Sequence, residues 1–551
     1  MSSEFEQIRD EYYQAWFRFH PETAVEVGIP GYAHLLAPYS DDDFGALLTL
    51  NEMLLSTLEE LDSNELSSAQ QVDLKLMRGA AFLEMEALLN FDWRKRDPQR
   101  FLPLEALYQL TVREVDDLPK VLAKRLQAIP AYLRNAAQYL LQEAEGIPAL
   151  WLQLAITSCE AGVEFIHGLP QHPRIHAVAP QVRELHSWIH DAMEAVGAFG
   201  RFLSEDIGAR AQGDFACGEQ RFTHLLLHRH FLEVSPQQLK QFGTRLFAET
   251  EQALIETCRK LTGNDDVAAL NRKLQTDHPS ADKLLAEYEQ QMQAARKFVR
   301  NHNLLTWPQE ERLQVVATPE FLRHQIPFAA YMEPAVSDPK QMGYYYVTPA
   351  DTEELLAEHN RAGLMHTCVH EAYPGHHMQF VTANMSPDAS SLPRLVNPSA
   401  TLYEGWALYC EQLMHEQGFL KKPEQNFILL KDRLWRALRV IIDVEIQTES
   451  VSVEQAAKRM QQKLGFPRQQ AMADLAWYSQ APTTPMGYAT GWALINAARD
   501  HLNAQDSAFS LREFHDRLLA QGSPALFLVL QEAFGADVAQ HANSEVFSAV
   551  N

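Results

Sequence analysis

The chain has 551 residues, 46% hydrophobic and 10% aromatic, with 72 acidic side chains against 47 basic ones and a net charge of −25. That apolar content suffices for large buried cores and excludes wholesale disorder. The acidic balance excludes a nucleic-acid partner, which needs a basic footprint for the phosphate backbone.

Helical periodicity begins at once. Phe5, Ile8, Tyr12, Ala15, Trp16 and Phe19 recur at the spacing of one helix face, and stretches 73–89, 121–141 and 182–202 keep the period. Pro21, Pro103, Pro130, Pro148, Pro170, Pro173 and Pro180 read as turns or first-turn helix positions. The charge-free apolar stretch from Gly146 to Cys159 is too short to span a bilayer. The N-terminus lacks the basic start and apolar run of a secretory signal. The cysteines Cys159, Cys217, Cys258, Cys368 and Cys410 are scattered, with no C-x-x-C pair. A reducing compartment suits such a set, so the expectation is a cytoplasmic chain with no membrane partner, as a monomer or homodimer.

Character changes after residue 300. Leu313–Pro319, Phe328–Pro334 and Gly343–Pro349 are β-prone runs, each closed by proline. Helical periodicity returns from Thr352, interrupted by a loop composition at Tyr478–Gly487. The predicted organisation is therefore an N-terminal helical region over 1–300, a short-strand segment over 301–350 and a helical catalytic region over 351–551. The three form one intertwined, mainly α architecture around a central cleft, with a small β-sheet beside it.

Chemistry concentrates in His366-Thr-Cys-Val-His370-Glu371-Ala-Tyr-Pro374-Gly375-His376-His377. Histidines supply neutral nitrogen ligands, and a glutamate beside a ligand can act as base on metal-activated water. In H-E-x-x-H the second histidine lies one helical turn on, rotated by only about 40°. Here Pro374 stands at that offset. His376 would lie about 120° around a straight helix and about 9 Å along it, and His377 about 10.5 Å along it. Proline removes a donor and clashes with the carbonyl of His370, so the helix must kink, bulge or restart. Such a distortion can place His376 beside His370. Gly375 permits the close approach, with His377 as the alternative second ligand. His366 and His370 form a rival pair at the four-residue offset.

A zinc hydrolase keeps three protein ligands and one open position. Thr401–Glu411 offers the third ligand on an apolar helix marked by Leu402, Trp406, Tyr409 and Leu413. A carboxylate in such a helix is costly unless paired, which singles out Glu404, followed by Gly405. Glu411, two turns on, can support a ligand histidine. Arg436 and Arg439, on another apolar helix, suit a substrate carboxylate. The tyrosine-rich strand at Tyr345 suits alignment of a substrate backbone by strand addition.

H-E-A-Y-P-G-H-H-M-Q followed by Y-E-G-W-A-L-Y resembles the bacterial domain of unknown function 885 family of presumed zinc metallopeptidases. Further matching segments are Pro21–Gly28, Arg125–Leu133, Pro327–Pro334, Arg436–Asp443 and Pro485–Gly491. The resemblance implies a large multi-helical zincin-like fold, similar to gluzincin oligopeptidases and thermostable carboxypeptidases. It places one Zn2+ per chain on His370, His376 and Glu404, with Glu371 as general base. The same likeness makes Gly487-Tyr488-Ala-Thr-Gly491 the counterpart of a segment whose tyrosine steadies the oxyanion. Many relatives carry a Gly-Leu-His after the aspartate that matches Asp443, where this chain has Val444-Glu-Ile-Gln447. The implied activity is hydrolysis of short peptides. Hydrolysis of another small amide, or a role as an inactive binding relative, are the alternatives.

Overall fold

Helix dominates because apolar positions recur on one face and polar residues close the helix ends. Around Ser235 the hydroxyl accepts from Gln238 N, the Gln238 side chain accepts from Ser235 N, and Pro236 fills the first helical position. The helix so started ends at Gly263, whose φ of 79° favours glycine. The structure, a computed structural model, describes residues 4–548 except positions 320–322, 324, 325, 327, 337 and 351. Pro327, the first residue of one family-like segment, lies outside the described residues.

Packing divides the chain into two units, Met1–Phe215 and Ala216–Asn551. In the first, α1 (Leu118–Gln142) and α2 (Ala149–Gly168) both pack on α3 (Leu185–Phe202). Their core includes Leu126, Ile129, Leu133, Phe165, Ile166, Val196 and Phe199. Pro130 lies inside α1 and not at a turn. An interior proline costs about 3 kcal/mol, and the buried row from Val121 to Leu140 outweighs it. The charge-free stretch ends at Cys159, but its helix continues through Glu160 and Glu164. Ala149–Gln171 is long and apolar enough to cross a membrane by length and composition, although Leu152, Ala155, Cys159, Phe165 and Ile166 face the core.

The second unit holds the remaining elements used below. α4 (Pro236–Thr262) packs along the later α9 (Pro423–Thr448), with Gly243 against Val440, where a Cβ would come within 2.9 Å. Residues 216–300 therefore belong with the later helices and not with an N-terminal region ending at 300. Periodicity shows that a helix has an apolar face, not which partner covers it. After α5 (Leu284–Asn301) come β1 (Arg312–Ala317), β2 (Ala329–Met332) and β3 (Met342–Val347). Their order is β1-β3-β2; β1 runs parallel to β3 and β2 antiparallel to it, with both Val315 and Tyr331 opposite Tyr345. α6 (Arg361–Glu371), α7 (His376–Asn384), α8 (Ala400–Glu416) and α10 (Gly487–Gln505) complete the frame of the site. Tyr478 to Gln480, read as loop, instead end the helix Arg468–Gln480.

Candidate metal centre

α6 ends at Glu371, the chain turns through Pro374-Gly375, and α7 restarts at His376. A Cβ on Gly375 would lie 1.8 Å from the His370 carbonyl oxygen, so only glycine allows this turn to close. The Trp406 indole donates to the Pro374 carbonyl at 3.0 Å and ties the turn to α8. The result places the two histidine rings with centroids 4.9 Å apart.

Glu404 of α8 meets them. Its Oε2 lies 3.6 Å from His370 Nε2 and 3.5 Å from His376 Nε2. All three ligand atoms fall within 4.8 Å of one another. Two atoms each about 2.1 Å from a tetrahedral zinc stand about 3.4 Å apart, so these separations suit a shared ion better than direct hydrogen bonds. Glu404 Oε2 is buried with no hydrogen-bond partner, as a ligand atom would be. Glu411 Oε1 sits 2.8 Å from His370 Nδ1, so the neutral ring carries its hydrogen on Nδ1 and turns its Nε2 lone pair toward Glu404. The donor set therefore fits zinc.

The electrostatics agree. Burial alone lowers the pKa of a histidine, but Glu404 and Glu411 outweigh it and raise His370 to about 10. Burial alone raises a carboxyl, yet His370 and His376 hold Glu404 well below the usual carboxylate range. The spot is a well for positive charge.

Two glycines bring the oxyanion candidate to this cluster. A Cβ on Gly405 would lie 2.5 Å from Gly491 Cα, and one on Gly491 would lie 1.9 Å from the Thr401 carbonyl oxygen. α8 and α10 thus cross backbone to backbone. Tyr488, in the first turn of α10, is raised well above the ordinary phenol value by burial and next by the Glu404 charge. Glu371, Glu404, His370, His376 and Tyr488 border a cleft of about 420 Å³, with Arg436 and Arg439 of α9 on the same cleft.

Arg439 is already engaged. Its Nε donates to the Tyr478 hydroxyl at 2.8 Å, and its guanidinium lies 4.0 Å from the Trp435 ring centroid and 4.6 Å from that of Tyr488. Arg436 is held by the Asp432 carbonyl at 3.4 Å and carboxylate at 3.7 Å and lies 4.5 Å from the Trp435 ring centroid, with its Nε unpartnered.

Other expectations are corrected. His377 Nε2 is 3.1 Å from Glu311 and its Nδ1 3.0 Å from the Tyr331 hydroxyl, so it faces away from the cluster. His366 binds the Gln425 carbonyl at 2.9 Å and lies on the far side of Glu411. Tyr345 belongs to the central strand, paired on both sides, and is buried against Tyr288, so it serves the core. Gln447 donates to the Tyr478 carbonyl and accepts from Cys217 N, both at 3.0 Å, and is not among the cleft residues.

Sequence reasoning missed Tyr331 and Glu333, which border the cleft from β2 and the residue after it. Their two-residue spacing, which puts both on one strand face, was the available signal. It also missed Glu311, fully buried, which accepts from His377, Tyr373 and Arg296. No local pattern marks that residue.

These features define a mainly helical chain with a two-histidine, one-glutamate cluster at a cleft. The chain belongs to the bacterial family of proteins of unknown function DUF885, whose model matches residues 21–532. Its fold is shared by a presumed lipoprotein of unknown function from Shewanella oneidensis, at 21% identity and a TM-score of 0.80 over 96% of this chain and 99% of that one. A presumed lipoprotein from Colwellia psychrerythraea matches at 19% identity and a TM-score of 0.77 over 99% and 100%. No curated protein matches the sequence significantly.

Proposed function

We propose that this protein is a zinc-dependent peptidase acting on short peptides. The reading is carried by Glu404 Oε2 at 3.6 and 3.5 Å from two histidine nitrogens, at a cleft that Glu371 also borders. His370, His376 and Glu404 would hold the ion. When bound, zinc there supplies Lewis acidity to a carbonyl oxygen and to water.

The side chains do the rest. Glu371 takes a proton from the attacking water on its carboxylate and delivers it to the leaving amine nitrogen. Glu411 holds His370 at Nδ1 and so keeps Nε2 aimed at the cluster. Tyr488, kept protonated by burial and by Glu404, donates a hydrogen bond to the oxygen that gains charge. Arg439, wedged between Trp435 and Tyr488, steadies that tyrosine, and Arg436 binds a substrate carboxylate.

The test is metal analysis of purified protein beside a peptide-library digest by wild type and Glu371→Gln. Expected are zinc near one per chain in both and, in the variant, a loss of kcat of about 10²–10⁴-fold. Metal-free protein in both preparations, after zinc was offered, would sink the reading. Equal cleavage by both would remove Glu371 from its role.

A further inference from the structure

Behind Tyr331 runs a chain of buried polar groups that the metal cluster does not use. The Tyr331 hydroxyl is 3.0 Å from His377 Nδ1, and His377 Nε2 is 3.1 Å from Glu311 Oε1. His377 and Glu311 are fully buried. Glu311 also accepts from Tyr373, and from Arg296 at 2.8 and 3.1 Å. A carboxylate facing a guanidinium is ionised and acceptor-only. His377 presents its Nε2–H to that acceptor. Nδ1 is then the ring's acceptor, and the Tyr331 hydroxyl donates to it. With the tyrosine proton committed to His377, the phenolic oxygen keeps its acceptor capacity.

We infer that Tyr331 is a further substrate-contacting residue, accepting a backbone N–H of a bound peptide, with His377 and Glu311 as positioning residues that fix it in that role. The inference rests on the peptidase reading and deepens it by naming the group recognised. β2 is an outer strand of the sheet, paired with β3, and Tyr331 borders the cleft that holds His370, His376 and Glu371. Gly343 on β3 lets the histidine lie against the sheet, since a Cβ there would come within 2.7 Å of His377 Nδ1. A tyrosine needed only for packing would not require a buried histidine and an ion pair behind it, because burying such groups is costly.

The test replaces one backbone N–H at a time by an ester oxygen in a short library peptide. Cleavage by zinc-loaded wild type, Tyr331→Phe and Glu311→Gln is measured, and binding to Glu371→Gln with and without Tyr331→Phe is followed by calorimetry. At one position the replacement is expected to lower wild-type kcat/KM, and affinity for Glu371→Gln, about tenfold; with Tyr331→Phe it changes either by less than about twofold. Glu311→Gln keeps zinc and Tyr331 but loses the amide-over-ester preference, which a packing role would not do. A Tyr331→Phe protein that keeps the tenfold penalty, or a wild type indifferent to every ester, overturns the inference and leaves the peptidase reading standing. Tyr331-dependent binding without cleavage by wild type removes the peptidase reading and keeps the contact. A wild type that neither cleaves nor binds any peptide overturns both.

Discussion

Each unit buries a glutamate beside histidine, and the two are solvated differently by the protein. In the first unit Glu84 Oε2 accepts from the Trp16 indole at 2.9 Å and the Asn51 amide at 2.8 Å, while Oε1 lies 2.7 Å from His20 Nε2. Tyr12 extends the network by donating to Asn51 at 2.8 Å. In the second unit Glu404 Oε2 has two histidine nitrogens at 3.5 and 3.6 Å and no hydrogen bond. Donors within hydrogen-bond distance make Glu84 a structural carboxylate. Histidines standing just beyond that distance leave room for an ion.

Truncation separates the two most sharply. Glu404→Ala should take zinc content from one per chain to background, since one of the three candidate ligands is gone. Glu84→Ala should leave zinc untouched and cost about 3–5 kcal/mol, since the paired network loses its acceptor. Metal analysis and denaturant titration read both; the reverse pattern would dissolve the distinction. Glu411→Gln should weaken zinc binding about 10–100-fold in competition with a chelator, because only the support of His370 is altered.

Acidification should also divide the units. Burial pulls His230 down to about 3, and His359 and His515 to about 4, all in the second unit. Their folded values lie below the unfolded one of about 6.5, so their contribution is complete above that pH and is lost as pH falls toward 4 and then 3. At pH 5 each is expected to forfeit about 2 kcal/mol. Hydrogen exchange at pH 7.5 and 5 should show protection falling over residues 216–548 before 4–215; earlier loss in the first unit would contradict this. The smallest effect expected is at Tyr345→Phe, with kcat/KM within about twofold of wild type and stability lowered by about 1 kcal/mol, since the ring stays in the core.

The meeting of His370, His376 and Glu404 was legible in the sequence because it is nearly local. A proline four residues after His370 forces a break, Gly375 lets the break close, and Glu404 is a carboxylate in the apolar first half of its helix. Glu411 was equally readable as a residue two turns further on the same face. What stayed hidden depends on pairing between distant segments. Strand order decides that β2 and not β3 lies at the sheet edge, so Tyr331 reaches the cleft while Tyr345 is core. His377 differs from His376 only in what faces it, and that is Glu311, an acid with no helical or strand register to mark it. The unit boundary at 215 was invisible for the same reason, since α4 advertises an apolar face without saying that α9 will cover it.

The crossing at Gly405 and Gly491 carries a mechanical consequence. Most helix pairs are spaced by side chains that can change rotamer and act as a compliant layer. Here main chain meets main chain, so the spacing is set by atomic radii and has no such slack. Glu404 and Tyr488, each adjacent to or one turn from that crossing, are therefore indexed to each other as marks on a single part, and any displacement of one helix carries both.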